Sequence, residues 1–210
     1  MVHDHGANVH GEAAGYLAWG RALFYQGDYR EANRQLQQAL DRSEAFPQVH
    51  ADTLRSLGMA ADDQNEARDY FRQALHIHRK IGDRRGEWAT LYNLSALFLE
   101  QENCTQALKY GERALSICRK IGDRQGERMA LDNLGYIALC LADYEGARAY
   151  YEQTLRLCQK INDCHSEGHT LVHLSALSTL FDQHDDARAH AETALRFARE
   201  TGDQPLEGDA

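Results

Sequence analysis

Along the middle of the chain the apolar positions follow a helical period, pause, and start again. Leu91, Leu94, Leu97 and Phe98 lie at intervals that stack side chains on one helix face. The polar stretch Gln101-Glu102-Asn103 interrupts them, and Ala107, Leu108, Gly111, Ala114, Leu115 and Cys118 then resume the same period. This pattern predicts two amphipathic helices joined by a short turn. The pair recurs. Lys80-Ile81-Gly82-Asp83-Arg84 returns as Lys120-Ile121-Gly122-Asp123-Arg124, then as Lys160-Ile161-Asn162-Asp163, and last as Gly202-Asp203, always 40 residues on. Residues 80–119 laid over 120–159 without gaps agree at 16 of 40 positions. The helix pair is therefore an internal repeat.

Charge and turn residues mark the same boundaries independently. Gly82 suits the left-handed residue just past a helix end, and Asp83 suits the N-cap of the next helix. Asn162 replaces Gly at the equivalent place, and Asn is the next most tolerant of that conformation. Arg79-Lys80, Arg119-Lys120 and Lys160 fall in last turns, and Asp83, Asp123 and Asp163 at first turns, each opposing the helix dipole. Small residues then fix how closely helices approach. The second helices carry Ala32–Leu36–Ala39, Ala67–Phe71–Ala74, Ala107–Gly111–Ala114, Ala147–Tyr151–Thr154 and Ala187–Ala191–Ala194. The first helices carry a large apolar residue and then a small one: Trp19-Gly20, Leu57-Gly58, Leu94-Ser95, Leu134-Gly135 and Leu174-Ser175. Such pairs let two helices pack near the short end of the usual range.

These residues resemble the tetratricopeptide repeat family. Its pattern of a large residue, Leu-Gly, Tyr, then Ala, aromatic, Ala runs five times over residues 11 to about 200, most closely from Ala13 through Gly20, Gly27-Asp28-Tyr29 and Ala32 to Ala39. The 40-residue unit is longer than the common length of about 34 and is similar to a long-helix variant found in bacterial multidomain regulators. The resemblance implies an all-α fold, a right-handed α-solenoid of about five helical hairpins. The units are residues 11–48, 49–82, 83–122, 123–162 and 163–201, with 1–10 as a flexible tail and 202–210 as a tail or the truncated start of a further unit. One unit is irregular: from Gly58 to Ala67 is nine residues, where the other four units have twelve. About one turn is missing around Asp62-Asp63-Gln64-Asn65, in a solvent-facing turn or at a place that alters the groove.

Composition narrows the function. The net charge is −9, with 23 Lys and Arg against 32 Asp and Glu, which disfavours nucleic acid as the main partner. Two prolines in 210 residues leave room for long helices. No apolar run of about 18 residues offers a membrane span, and the N-terminus lacks the apolar core of a signal peptide. Five cysteines make an odd count, so no disulfide framework is expected and a reducing, cytoplasmic setting is the default. There is no Gly-rich phosphate loop and no Gly-x-Ser-x-Gly. The reading is a non-enzymatic protein with no cofactor.

By the family's pattern, certain first-helix positions line a concave groove. They are Leu17, Arg21 and Phe24; Arg55 and Met59; Tyr92, Asn93, Ala96 and Leu99; Asp132, Asn133, Tyr136 and Leu139; and Val172, His173, Ala176 and Thr179. Asn93 and Asn133 stand one repeat apart, and an amide can both donate to and accept from one peptide unit. Tyr92, Tyr136, Phe24 and Met59 would supply side-chain pockets. The resemblance thus implies a scaffold that holds a peptide or protein in its groove, or else a regulatory repeat segment of a larger bacterial signalling ATPase or transcription regulator. The Lys and Asn that clamp a peptide's C-terminal carboxylate in some members are not met at Leu17/Arg21, Arg55/Met59 or Tyr92/Ala96. His165, His169 and His173 form a stripe that lacks a fourth fixed ligand, so no metal is expected. Cys118 and Cys158 read as small core residues, and Cys104, Cys140 and Cys164 are not spaced as a redox pair. Leu195, Phe197 and Leu206 near the C-terminus are expected to lie partly uncovered, which points to self-association through the last helix.

Overall fold

A computed structural model of the chain describes residues 2–202. Among these residues the structure is ten α-helices: α1 (Val2–Tyr25), α2 (Tyr29–Ser43), α3 (Pro47–Ala60), α4 (Gln64–Ile81), α5 (Arg84–Glu100), α6 (Cys104–Ile121), α7 (Arg124–Cys140), α8 (Tyr144–Ile161), α9 (Cys164–Leu180) and α10 (His184–Thr201). The helix bounds follow local chemistry. Asp83, Asp123 and Asp163 each cap a helix by accepting the amide N–H three residues on, from Gly86, Gly126 and Ser166. Gly82, Gly122 and Asn162 hold the left-handed backbone just past the preceding helices, with φ of 74°, 70° and 57°. Helix α1 takes in residues 2–10, which the sequence reading gave to a tail. The ring of His10 packs edge-on against Phe46, a tertiary contact no local signal announces.

The chain forms two compact units, residues 1–103 with α1–α5 and residues 104–210 with α6–α10. Their boundary falls inside the 83–122 stretch that the repeat arithmetic treats as one unit. In the first unit α1 pairs with α2 and α3 with α4, α5 packs on α4, and α3 touches both α1 and α5. In the second, α6 packs on α7, α7 pairs with α8, α8 packs on α9, and α9 pairs with α10.

Within the hairpins, small and large residues interlock. A methyl group added at Gly20 would sit 2.7 Å from Leu36 Cγ, at Gly58 2.6 Å from the Phe71 ring, and at Gly135 2.8 Å from the Tyr151 ring. In these three hairpins the middle residue of the second-helix triplet thus rests directly on the glycine of its first helix. In the last hairpin the pair is Ser175 and Ala191, and the Ser175 hydroxyl donates to the Ala187 carbonyl at 2.8 Å. Leu195 and Phe197 on α10 are half-buried, and Leu206 lies outside the described residues.

The nine-residue interval resolves at a different place from the turn. Helix α3 has 14 residues, where α5, α7 and α9 have 17. It stops at Ala60, two residues past Gly58, whereas α1 and α5 continue five residues past Gly20 and Ser95. The connection 61–63 keeps the three-residue length of 26–28 and 101–103. What is missing is the last turn of α3, not the linker. Gly27, Glu102, Ala142 and Asp182 are left-handed in the other hairpin turns, while Ala61 is extended, with φ −77° and ψ 134°.

Candidate functional site

The shortened α3 leaves open space between α1 and α5. Where its last turn would continue lies a cavity of about 340 Å³, lined by Phe24 of α1, Gly58 and Met59 of α3, Gln64, Ala67 and Phe71 of α4, and Asn93, Ala96, Leu97 and Glu100 of α5, with Ala61 and Asp62 from the connection. Beside it lies a second cavity of about 250 Å³, lined by the apolar Phe24, Tyr25, Leu36 and Met59 and the polar Arg21, Arg55 and Ser56. Phe24 and Met59 are common to both. Arg21, Phe24, Arg55, Met59, Asn93 and Ala96, six positions read from the sequence as groove-facing, therefore come together around two adjoining spaces.

Asp52 organises the arginines. Its Oδ1 lies 3.2 Å from Arg21 Nη2 and 3.4 Å from Arg55 Nη2, so one carboxylate oxygen serves two guanidinium groups. Gln48 Nε2 donates to its other oxygen at 3.0 Å. Arg21 Nε donates to Ser56 Oγ at 2.9 Å. Arg55 is less well paired: its Nη1 faces only the Met59 sulfur at 3.9 Å, and its buried Nε has no partner. Burial, and then the neighbouring Arg21 charge, lower the Arg55 pKa against the opposing pull of Asp52. On α5, Asn93 Nδ2 is likewise buried without a hydrogen bond. Sequence reasoning missed Asp52, Ser56 and Tyr25. The i, i+3 spacing of Asp52 and Arg55 was available as a signal, but the 31-residue step from Arg21 to Asp52 was not.

Other expected positions fall differently. Leu17, read as groove-facing, is buried in the core with Ala13, Leu36 and Leu57, because α1 turns that face onto α2 and α3. Tyr92 and Leu99 are half-buried on α5 and line neither cavity. In the second unit Tyr136 is half exposed, and Asn133 is half-buried on α7. Asp132 is half-buried. Burial raises its carboxyl pKa, and His173, Arg128 and His169 oppose the shift. The His173 ring stacks on Tyr151 with centroids 4.7 Å apart, and the buried Tyr151 hydroxyl has no hydrogen-bond partner.

The histidine stripe divides. His165 and His169 meet edge-on at 4.7 Å, while His173 is engaged with Tyr151. Among the described residues no cluster of three or more His, Cys, Asp or Glu is arranged to hold a metal ion. Cys118 and Cys158 are fully buried, and burial pushes their thiols up to about 12 and about 11. Cys104 and Cys140, distant in sequence, are brought side by side: burial and the Cys104 thiol alongside raise the Cys140 pKa. The packing of α6 on α7 makes this contact between two free thiols, which spacing alone does not reveal.

Comparison with known proteins fits this architecture. The tetratricopeptide repeat family matches residues 17–45, 51–120 and 126–200. The chain belongs to the tetratricopeptide repeat family, and its fold is an all-α solenoid of such hairpins. A search of curated proteins returned no match. Among solved structures, BtubC (BKLC) from P. vanneervenii is similar over 97% of this chain and 93% of its own, at TM-score 0.78 and 18% identity. A Rap protein complexed with Competence and Sporulation Factor is similar over 93% of this chain and 56% of its own, at TM-score 0.78 and 18% identity. The signal transduction ATPase with numerous domains PH0952 from Pyrococcus horikoshii, described as carrying a tetratricopeptide repeat sensor, is similar over 92% of this chain and 30% of its own, at TM-score 0.81 and 20% identity. These likenesses establish the shared fold. Among the described residues no helix is long and apolar enough to cross a membrane.

Proposed function

We propose that the chain is a non-catalytic scaffold that holds a peptide segment of a protein partner along its first helices, centred on the paired cavities of α1, α3 and α5. The observation that carries this reading is the space left by the missing turn of α3. It has an apolar wall of Phe24, Met59 and Phe71, and the buried, unpartnered Asn93 amide stands at its side. Asp62, Gln64 and Glu100 make part of the lining polar, and a cleft that joins apolar surface to a few convergent polar groups is a usual form of a binding site. The likeness to a Rap protein solved with a bound factor supports the same reading. A second reading, a regulatory repeat segment of a larger signalling ATPase, draws on the likeness to the repeat sensor of PH0952. In both, the groove is what recognises a ligand.

Selection of a displayed random dodecapeptide library on the immobilised full chain tests this. Enriched peptides, remade synthetically, are expected to bind in calorimetry. Asn93→Ala and Phe24→Ala should each weaken that binding several-fold while the melting temperature stays nearly constant for Asn93→Ala. A library with no enriched sequence, or peptides indifferent to both substitutions, would remove the proposal.

A further inference from the structure

The cavity between α1 and α3 is chemically lopsided. Two arginines line it and no carboxylate does; the one carboxylate paired with them, Asp52, already divides one oxygen between both guanidiniums and takes a hydrogen bond from Gln48 on the other. A guanidinium carries five N–H donors. Arg55 places one on a shared oxygen and another against a thioether, and its buried Nε faces no acceptor. A buried charge left short of partners is costly, and an added acceptor within reach recovers part of that cost. The rest of the wall is apolar, from Phe24, Tyr25, Leu36 and Met59. The adjoining cavity has the opposite character at its rim, where Asp62 and Glu100 stand beside apolar residues. The two spaces share Phe24 and Met59 and so adjoin, which lets neighbouring side chains of one bound segment enter both.

We infer that the α1–α3 cavity takes an acidic side chain of the bound peptide, a glutamate or aspartate, on Arg21 and Arg55, while a nearby non-acidic apolar side chain of the same segment fills the space left by the missing turn of α3. This rests on the peptide-binding reading above and gives it a sequence preference. Charge complementarity selects the occupant: an acid in the first cavity meets two guanidiniums that share a single carboxylate oxygen, and an acid in the second meets Asp62 and Glu100. Asp52 is then an internal competitor that holds the guanidiniums in place when no peptide is bound.

The experiment uses the full chain and the synthetic peptides from the same library selection. Enriched sequences are expected to carry Asp or Glu one to three residues from Leu, Met or an aromatic residue. Replacing that acid by its amide should weaken binding by about tenfold or more. Arg21→Gln and Arg55→Gln should each weaken the acidic peptide similarly and leave the amide peptide's affinity unchanged, so a general loss of fold is separated from loss of the pair. Asp52→Asn should act in the other direction and tighten the acidic peptide several-fold, a gain that unfolding cannot produce. Enriched peptides that bind through Asn93 and Phe24 without an acid, or an acidic peptide indifferent to Arg21→Gln and Asp52→Asn, would overturn this inference and leave the scaffold reading standing. A library with no enriched peptide would overturn both.

Discussion

Cysteine shows how one residue type takes different roles in this chain. Cys118 and Cys158 stand 40 residues apart at the same repeat position, and both are sealed in the core. Thiolate is the reactive form, so a thiol raised to about 12 or about 11 by burial is inert near neutrality. Cys140 and Cys164 are exposed. In native protein at pH 7, N-ethylmaleimide is expected to modify Cys164 first and Cys140 more slowly. Cys118 and Cys158 should react only after denaturant is added, with peptide mass spectrometry following each site. Labelling of Cys118 in native protein as fast as Cys164 would contradict the burial argument. The core role of Cys118 and Cys158 was readable from their register. The meeting of Cys104 and Cys140 was not, because it depends on how two helices cross. Arg55 teaches the same lesson: that it lines a cavity with Arg21 and is short of acceptors depends on α1 and α3 packing together.

In three hairpins a glycine and a large residue 13 to 16 positions further on pack by a size rule. Gly20 meets Leu36, Gly58 meets Phe71 and Gly135 meets Tyr151, whereas Ser175 is paired in register with the small Ala191. Gly135→Ser should therefore cost about 1–3 kcal/mol through overpacking against the Tyr151 ring. Tyr151→Ala should cost about 3–5 kcal/mol through the cavity it leaves. Together they restore the serine–alanine pairing of the last hairpin, so the double variant should cost clearly less than the sum. Urea melts of the four proteins give the coupling, and strict additivity would refute the rule. The small residues themselves were visible as a stripe in the sequence. Their large partners were visible too, but as a separate pattern, and only the packed hairpins join the two. Helix α3 is the exception in length. The count of nine against twelve revealed a deletion, yet its position in the last turn of α3 became apparent only from where that helix stops.

Acid should weaken the whole fold through one buried imidazole. His78 is fully buried at the position that carries Cys118 and Cys158 in later units, and its Nδ1 lies 2.9 Å from Asp83 Oδ2. Desolvation lowers its pKa below 6.5, against the pull of Asp52 and Asp83 and with the help of Arg55. The unfolded chain then binds the proton more readily than the folded one, so the stability contribution is whole above about pH 6.5 and declines as the pH falls toward the folded value. His50, also lowered by burial, acts in the same sense. The melting temperature is expected to drop between pH 7.5 and 5.5, and His78→Cys should reduce that drop. An equal drop in the variant would count against His78. The repeat length, the helix bounds and the family pattern all come from interactions reaching three or four residues along the chain: N-cap to third amide, last carbonyls to a left-handed glycine, apolar stripe to stripe. Such signals are written in consecutive residues and can be read without a structure. The site is different. Arg21 and Asp52 are 31 residues apart, and the space beside Asn93 exists because a neighbouring helix ends early. Charge pairing, burial and cavity shape depend on inter-helix distances, which packing sets and no local sequence encodes.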